Sequence, residues 1–154
     1  MSATPTSSHA YGVGAIALIV ALSATTIFYT SFYLPESLAK PSVSDHILHP
    51  DETYVIDIVP GALLEGNDNY VPNNPTVLLT INNLVTWTNS DDTGHTVTAD
   101  HRHEDSYSGS FGTREVILPG DSYTFLFTEP QVVTYHCVPH PWMTGIITVE
   151  KSKF

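Results

Sequence analysis

The stretch VVTYHCVPHPWMTGIITVE, residues 132–150, contains two runs rich in β-branched and aromatic residues on either side of a proline-rich segment. Such runs favour β-strands, so the stretch predicts one strand that ends at Cys137 and another that begins at Gly145. The loop between them, residues 138–144, follows the chain's single cysteine and contains its only methionine besides Met1. The two scarce sulfur side chains therefore lie within one tight connection.

Short runs of the same kind recur from residue 54 onward and are bounded by Gly, Pro, Asn and Asp. They are YVIDIV (54–59), TVLLTI (76–81), LVTWTN (84–89), HTVTA (95–99), EVIL (115–118), SYTFLF (122–127), VVTYHC (132–137) and GIITVE (145–150). Apolar and polar residues alternate in several runs, as at Tyr123, Phe125 and Phe127, which directs one face of the strand towards a core. The spacing of the runs predicts an all-β sandwich or barrel.

Cys137, His140 and Met143 follow one another at intervals of three residues. Pro139 and Pro141 fix φ on both sides of His140, and a loop stiffened in this way can hold ligands in a chosen geometry. Structural zinc sites take four Cys or His ligands, whereas calcium and magnesium prefer oxygen. One thiolate and two imidazoles in a trigonal set, with a weak axial methionine, form the blue-copper pattern.

The second imidazole has to come from another part of the chain. The best candidate is His95 in SDDTGHTVTAD, because it begins a predicted strand that follows the Trp87 strand and can approach across the sandwich. In the competing interpretation Cys137 and Met143 only fill the core, as buried free cysteine commonly does. The histidine pattern favours a copper site.

Three stretches of the chain carry a family resemblance that extends over most of residues 54–150. They are VTWTNSDDTGHTVT (85–98), PGDSYTFLF (119–127) and YHCVPHPWMTGIITV (135–149). These stretches resemble the cupredoxins, the type 1 blue copper proteins. The spacing of the ligand loop is similar to that of amicyanin-type members, whereas plastocyanin-type members have a longer His-to-Met spacing. The resemblance implies a Greek-key β-sandwich that holds one type 1 copper per chain.

On this resemblance, His95, Cys137 and His140 would be the equatorial copper ligands and Met143 the axial one. Many small cupredoxins have asparagine directly after the first histidine ligand, where its amide braces the ligand loop near the sulfur. Thr96 occupies that position here. Because residues beside a ligand tune reduction potential and rigidity, the family's values for both do not transfer to this chain.

The resemblance also implies a carrier of single electrons between a redox donor and a redox acceptor. A type 1 site has its coordination positions filled and normally offers a substrate no place to bind. In the family, the loop histidine projects an edge through an apolar patch that docks redox partners. The equivalent patch here consists of Val138, Pro139, His140, Pro141 and Trp142. In the alternative interpretation, Trp142 covers the copper site and has no docking role.

His136, directly before Cys137, suggests a second hypothesis. In copper nitrite reductases and multicopper oxidases, a histidine beside the thiolate ligand leads to a second, catalytic copper, and strand alternation would direct His136 away from Cys137. With His101 and His103 of HRHED, it could form a second metal site. The chain would then be a copper enzyme, or the copper subunit of a membrane oxidoreductase, acting on a small molecule such as nitrite or nitric oxide. In the simpler interpretation, His136 faces outward and HRHED is a solvated loop.

Residues 12–34, GVGAIALIVALSATTIFYTSFYL, carry no charge and are numerous enough to cross a bilayer as a helix. Tyr29, Phe32 and Tyr33 lie near the end of this segment, and aromatic rings settle at membrane interfaces. We therefore expect a membrane anchor. The alternative is a cleaved signal peptide, which usually has a shorter apolar stretch after a positively charged start.

The expected organisation is a tail, a transmembrane helix, a linker and a cupredoxin domain, at residues 1–11, 12–34, 35–53 and 54–154. The positive-inside rule orients a helix by the Lys and Arg residues near its ends, and only Lys40 lies near this helix. An anchor at the start, followed by a whole globular domain, is the usual arrangement for an exported domain. We therefore expect the copper domain on the extracytoplasmic side.

The charge of the chain narrows the choice of partners. Sixteen acidic and five basic residues give a formal net charge of -11, which argues against nucleic acid, because nucleic acid needs a basic surface. An acidic surface instead favours a basic protein partner, at a strength set by ionic strength. A single cysteine excludes an internal disulfide and leaves the thiol free for a metal.

Overall fold

The computed structural model describes residues 8–39 and 42–153. The chain separates into two compact units, Met1–Lys40 and Pro41–Phe154. The first unit is helical and the second is built from β-strands.

The first unit contains helix α1 (Ser8–Phe28), a π-helical turn (Tyr29–Tyr33) and helix α2 (Leu34–Leu38). Tyr11–Leu38 is long and apolar enough to cross a membrane by length and composition. Five of its Ser and Thr hydroxyl groups donate to carbonyl oxygens of the same helix, as Ser23 does to Ile19 at 2.8 Å. Polar groups satisfied inside the helix are what a lipid environment requires. The helix continues past the predicted end at residue 34, because Pro35 lies in the first turn of α2, where its missing N–H needs no partner.

The described part of the second unit contains one short helix, α3 (Asp45–Leu48), and ten strands. The strands are β1 (Thr53–Ile58), β2 (Tyr70–Val71), β3 (Thr76–Leu78), β4 (Leu84–Asn89), β5 (Thr98–Ala99), β6 (Glu104–Asp105), β7 (Gly109–Ser110), β8 (Ser122–Leu126), β9 (Gln131–His136) and β10 (Thr144–Glu150). One sheet has the order β2-β1-β4-β8 and the other β3-β10-β9-β5, while β6 and β7 form a separate hairpin. Two pairs, β1 with β4 and β3 with β10, are parallel, and the remaining pairs are antiparallel.

Most of the predicted strands are present within a few residues of their predicted ends. Two differ: HTVTA pairs only over Thr98–Ala99, and EVIL is reduced to a single bridge between Ile117 and His95. In EVIL, Val116 and Leu118 are exposed and only Ile117 is buried, so this segment has little core contact to extend a strand. The structure adds β2, β6 and β7, which have two residues each and no periodicity to reveal them.

The core lies between the two sheets and is centred on Trp87. Its indole meets the rings of Phe111 and Tyr135 edge to face, with centroid separations of 5.6 Å in both pairs. On β9, the residues that face the core are Val133 and Tyr135, and the next residue in this alternation is Cys137. The alternation along β9 therefore places the Cys137 thiol inside the sandwich.

Gly145 shows how closely β9 and β10 approach. It pairs with Tyr135 across the two strands, and a side chain at position 145 would overlap the Tyr135 ring. Only glycine leaves room for this ring at the start of β10. The strand that follows the predicted ligand loop is thus fixed in register beside the strand that precedes it.

Part of the predicted linker packs against the sandwich. Asn83, which is fully buried, donates from its side-chain amide to the carbonyl oxygens of Ile47 and Phe127 at 2.9 and 2.7 Å. The Glu52 amide donates to Ile81 at 2.8 Å. Residues from α3 onward therefore belong to the same packed unit as the strands, and the predicted domain boundary at residue 54 stays a prediction.

Candidate metal centre

Three side chains that can bind a metal meet at one end of the sandwich. His95 Nδ1, Cys137 Sγ and His140 Nδ1 all lie within 4.8 Å of one another. The separations are 3.7 Å from Sγ to His95, 3.5 Å from Sγ to His140 and 3.2 Å between the two nitrogen atoms. His95 and Cys137 are buried, while His140 is half-buried. Sequence reasoning had grouped these residues, and the structure brings them together.

The separations suit a single ion. Metal–nitrogen and metal–sulfur bonds of about 2.0 and 2.3 Å at trigonal angles place the donor atoms roughly 3.5 Å apart. The three separations lie close to that value. A thiolate and two imidazoles in such a set is the donor chemistry that type 1 copper takes.

The ligand loop, residues 137–143, is closed by its own main chain. The Cys137 amide donates to the Met143 carbonyl at 3.1 Å, the His140 amide to Cys137 at 3.1 Å, and the Met143 amide to His140 at 2.9 Å. Pro139 and Pro141 occupy positions whose missing N–H groups this network does not need. The three-residue spacing thus closes a compact turn, and the Met143 side chain, 0% exposed, belongs to the same buried core as Cys137.

The segment that presents the first histidine, residues 89–95, is called here the His95 arm. The buried Asn89 side chain donates to the carbonyl oxygens of Thr93 and Ile117 at 2.8 and 2.9 Å. Its oxygen accepts from the Asp91 amide at 3.0 Å. The main chain of His95 exchanges two hydrogen bonds with Ile117. The arm is therefore held by the Asn89 side chain and by the main-chain bridge between His95 and Ile117.

Asp91 orients the imidazole of His95. Its carboxylate lies 2.8 Å from His95 Nε2, and its other oxygen accepts from the Gly61 amide at 2.8 Å. With Nε2 bonded to a carboxylate, Nδ1 of His95 is left free to bind a metal. Burial opposes the charge on Asp91, but the Gly61 amide and His95 outweigh it and hold the pKa of the carboxyl below its usual value.

The pKa of the His140 imidazole is held below its usual value. Burial lowers its pKa, and the adjacent His95 lowers it further, while Asp91 acts in the opposite direction. A neutral imidazole has a free nitrogen lone pair, and metal binding needs this form. The site therefore favours metal binding over protonation of His140.

Thr96 braces the ligand loop where many family members have asparagine. Its amide donates to Cys137 Sγ at 3.3 Å, and its hydroxyl accepts from the Val138 amide at 2.9 Å. The buried Tyr70 hydroxyl donates to the Thr96 carbonyl at 2.6 Å. Burial, and then the nearby Cys137, raises the pKa of Tyr70, so this phenol remains a donor.

Sequence reasoning missed Asp91 and Tyr70. Asp91 carried a signal, because a carboxylate four residues before a candidate ligand in a tight turn can reach its ring. Tyr70 carried none, since it lies in an irregular stretch rich in Asn, Asp and Gly.

The predicted docking patch lies on the outer side of the ligand loop. All its members except the half-buried His140 are exposed: Val138, Pro139, Pro141 and Trp142. The Trp142 ring is centred 5.5 Å from the His140 ring, yet its side chain is 38% exposed. Trp142 therefore flanks the histidine edge and remains open to solvent.

Two of the three histidines of the predicted second metal site have hydrogen-bond partners of their own, and His101 interacts with the same Asp100 carboxylate as His136. His136 Nδ1 is 2.6 Å from an Asp100 carboxylate oxygen, and His103 Nε2 is hydrogen-bonded to Gln131. His101 is exposed. Within residues 8–39 and 42–153, no grouping of these histidines matches that of His95, Cys137 and His140, and the second metal stays a prediction.

A two-sheet sandwich with a thiolate and two imidazoles at one end is the arrangement of a cupredoxin. Residues 65–150 match the sequence profile of the family described as copper binding proteins, plastocyanin/azurin family. The chain belongs to this family. The predicted cupredoxin fold and the predicted copper cofactor are thereby confirmed.

Individual relatives agree with this assignment. Amicyanin from Paracoccus denitrificans is 27% identical over 116 residues, which cover 73% of this chain and 85% of amicyanin. The structure of a purple cupredoxin from Nitrosopumilus maritimus is 28% identical with a TM-score of 0.51, and the match covers 63% of this chain and 99% of that one. The second match thus spans the whole of a cupredoxin, as expected if the sandwich is a complete domain.

Proposed function

We propose that this chain is a membrane-anchored type 1 copper protein that carries single electrons between redox partners. His95, Cys137 and His140 would be the equatorial ligands and Met143 the axial one. The observation that carries the proposal is the meeting of three donor atoms within 4.8 Å of one another, and the full burial of Met143 in the same ligand loop supports it.

Burial favours electron transfer over catalysis. His95, Cys137 and Met143 are 0% exposed, so a substrate has no opening through which to reach them. Copper at such a site supplies a one-electron couple, Cu(I)/Cu(II). The ligand loop and the His95 arm are both held by hydrogen bonds, which limits movement of the ligands between the two oxidation states.

His140 is the ligand whose edge reaches the surface, and the surrounding patch gives a partner an apolar contact. Trp142 and Val138 are the large exposed side chains there, at 38% and 58% exposure. Fifteen of the sixteen acidic residues and four of the five basic ones follow residue 40, which leaves the entire net charge of -11 in this unit. A basic redox protein would be steered to such a domain at low ionic strength.

The helix Tyr11–Leu38 would anchor the chain, with the copper domain on the extracytoplasmic side. A tether raises the effective concentration of the domain beside a membrane partner without any new contact. A membrane oxidoreductase complex is therefore the class of partner we propose. Co-purification from mild detergent tests this part, and a product absent from the membrane fraction would overturn the anchor.

The ligand set is tested by loading the full chain with copper in detergent. We expect about one copper per chain and an intense thiolate-to-copper charge-transfer band. Cys137→Ser should abolish the band, whereas the control His136→Ala should retain it. A colourless copper-loaded protein would overturn the proposal. About two coppers per chain, with one lost in His136→Ala, would favour the copper enzyme or enzyme subunit instead.

A further inference from the structure

The hydroxyl group of Thr96 has three hydrogen-bond neighbours: the Val138 amide, the Thr98 hydroxyl and Cys137 Sγ. A hydroxyl offers one donor and two acceptor positions. Thr96 Oγ1 accepts from the Val138 amide at 2.9 Å and from the Thr98 hydroxyl at 3.3 Å. Both acceptor positions are therefore occupied, and the proton of Thr96 must point elsewhere.

That proton points at the sulfur of Cys137, since Thr96 Oγ1 donates to Sγ across 3.9 Å. Sulfur is a large and weak acceptor, so a hydroxyl bond to it is long. The amide of the same residue donates to the same sulfur at 3.3 Å. One residue thus directs two donors at the thiol.

We propose that the Thr96 hydroxyl is a positioning group that adds a second hydrogen bond to the copper-binding thiolate, beside that of the Thr96 amide, and raises the reduction potential of the site. This inference rests on the proposed role of Cys137 as a ligand. Hydrogen bonding around the cysteine sulfur tunes the potential of such centres. Donors that stabilise negative charge on sulfur weaken its donation to Cu(II), and they favour Cu(I).

The hydroxyl of Thr98 donates to Thr96 Oγ1 and provides the matched control. Without it, the Thr96 hydroxyl would keep one acceptor position open, but its proton would still have Sγ as a neighbour. The Tyr70 hydroxyl holds the Thr96 carbonyl at 2.6 Å, which keeps the main chain of Thr96 in place. Thr96→Val removes the hydroxyl both as the donor to Sγ and as the acceptor of the Val138 amide, whereas Thr96→Ser keeps both roles and Thr98→Val leaves the Thr96 hydroxyl in place.

The first test measures the reduction potential of the copper-loaded full chain in detergent. Thr96→Val removes the hydroxyl and keeps the side-chain shape. It should shift the equilibrium between Cu(I) and Cu(II) towards Cu(II) by about tenfold. For a one-electron couple, this shift lowers the reduction potential by about 59 mV. Thr96→Ser should restore the potential, and the control Thr98→Val should remain near the wild type. An unchanged potential in Thr96→Val would overturn the inference.

The second test needs no redox reaction. In full chain loaded with spin-active cadmium, the hydroxyl proton of Thr96 should couple to the metal through Sγ. The coupling should persist in Thr96→Ser and Thr98→Val, and its absence from wild type that shows cadmium coupling to the Cys137 β-protons would overturn the inference. Because this test uses wild type, it holds even if Thr96→Val fails to fold.

The two proposals fail in different ways. A charge-transfer band that persists in Thr96→Val and is lost in Cys137→Ser, together with an unchanged potential in Thr96→Val, would leave the ligand set intact and remove the role of the hydroxyl. Wild type with neither the band nor cadmium coupling to Cys137 would overturn the ligand set, and the inference with it.

Discussion

The ligand loop and the His95 arm hold their donor atoms by different means. The loop is closed by three main-chain hydrogen bonds within residues 137–143 and is stiffened by two prolines. The arm depends on the buried side chains of Asn89 and Asp91. A main-chain network survives most side-chain changes, whereas a buried polar side chain leaves unsatisfied partners when it is lost. Substitutions in the His95 arm should therefore weaken the site more than substitutions in the ligand loop.

Asn89→Ala should break the arm most severely. It leaves the Thr93 carbonyl and the Asp91 amide without their partner and removes one of the two donors to the Ile117 carbonyl, which should cost about 3 kcal/mol of unfolding free energy. Denaturant unfolding of the metal-free chain measures the loss, and copper binding should weaken as well. Asn67→Ala, at an exposed asparagine bonded to Gly61, is the matched control. Equal losses in both variants would contradict the special role of the arm.

Asp91→Asn should come next in size. The amide keeps the shape of the side chain but removes the charge beside His95 Nε2, so copper affinity should fall by about 10- to 100-fold. The loss should be greater for Cu(II) than for Cu(I), because a nearby negative charge favours the more highly charged ion. Competition with a chelator in each oxidation state measures both. The neighbouring exposed carboxylate supplies the control, Asp92→Asn, which should leave both affinities unchanged.

Asp105 is a second buried carboxylate that can be compared with Asp91. It is hydrogen-bonded to Thr128 and to the turn 107–108. Burial opposes its charge, but these donors hold its pKa below the ordinary value of 3.8. Its stabilisation is therefore complete above the unfolded pKa, and it is lost as pH falls through the folded pKa. Asp105→Asn should lose about 1–2 kcal/mol at neutral pH.

The difference between wild type and Asp105→Asn should shrink below about pH 4, which unfolding at several pH values measures. The copper absorption band of the variant should match that of wild type. A changed band would mean that any buried carboxylate affects the site, and the contrast with Asp91 would be lost.

The same contrast explains what the sequence could reveal. The ligand loop could be predicted from the sequence, because its three-residue spacing and its two prolines lie in one short stretch and its flanking strands have clear periodicity. His95 was proposed because it begins a predicted strand after the Trp87 strand and lies in a stretch that resembles the cupredoxins. Tyr70 was missed because its partner Thr96 lies 26 residues away along the chain, and only the folded sheets bring them together. Asp91 lies four residues before His95, so its local signal was present and was overlooked.

Trp142→Ala should have the smallest effect, because the side chain lies on the outside of the ligand loop and makes none of its closing bonds. We expect an unchanged copper spectrum and unfolding free energy, but about tenfold weaker docking of a basic redox partner, since interface tryptophans often dominate binding. Electron exchange with such a protein at low ionic strength measures this change. Val132→Ala, an exposed apolar residue near the opposite end of β9, is the control. Equal slowing in both variants would mean that exposed apolar area, and not the histidine edge, directs the encounter. Slowing in Trp142→Ala alone would locate electron entry at His140, on the part of the site that the main chain holds most firmly.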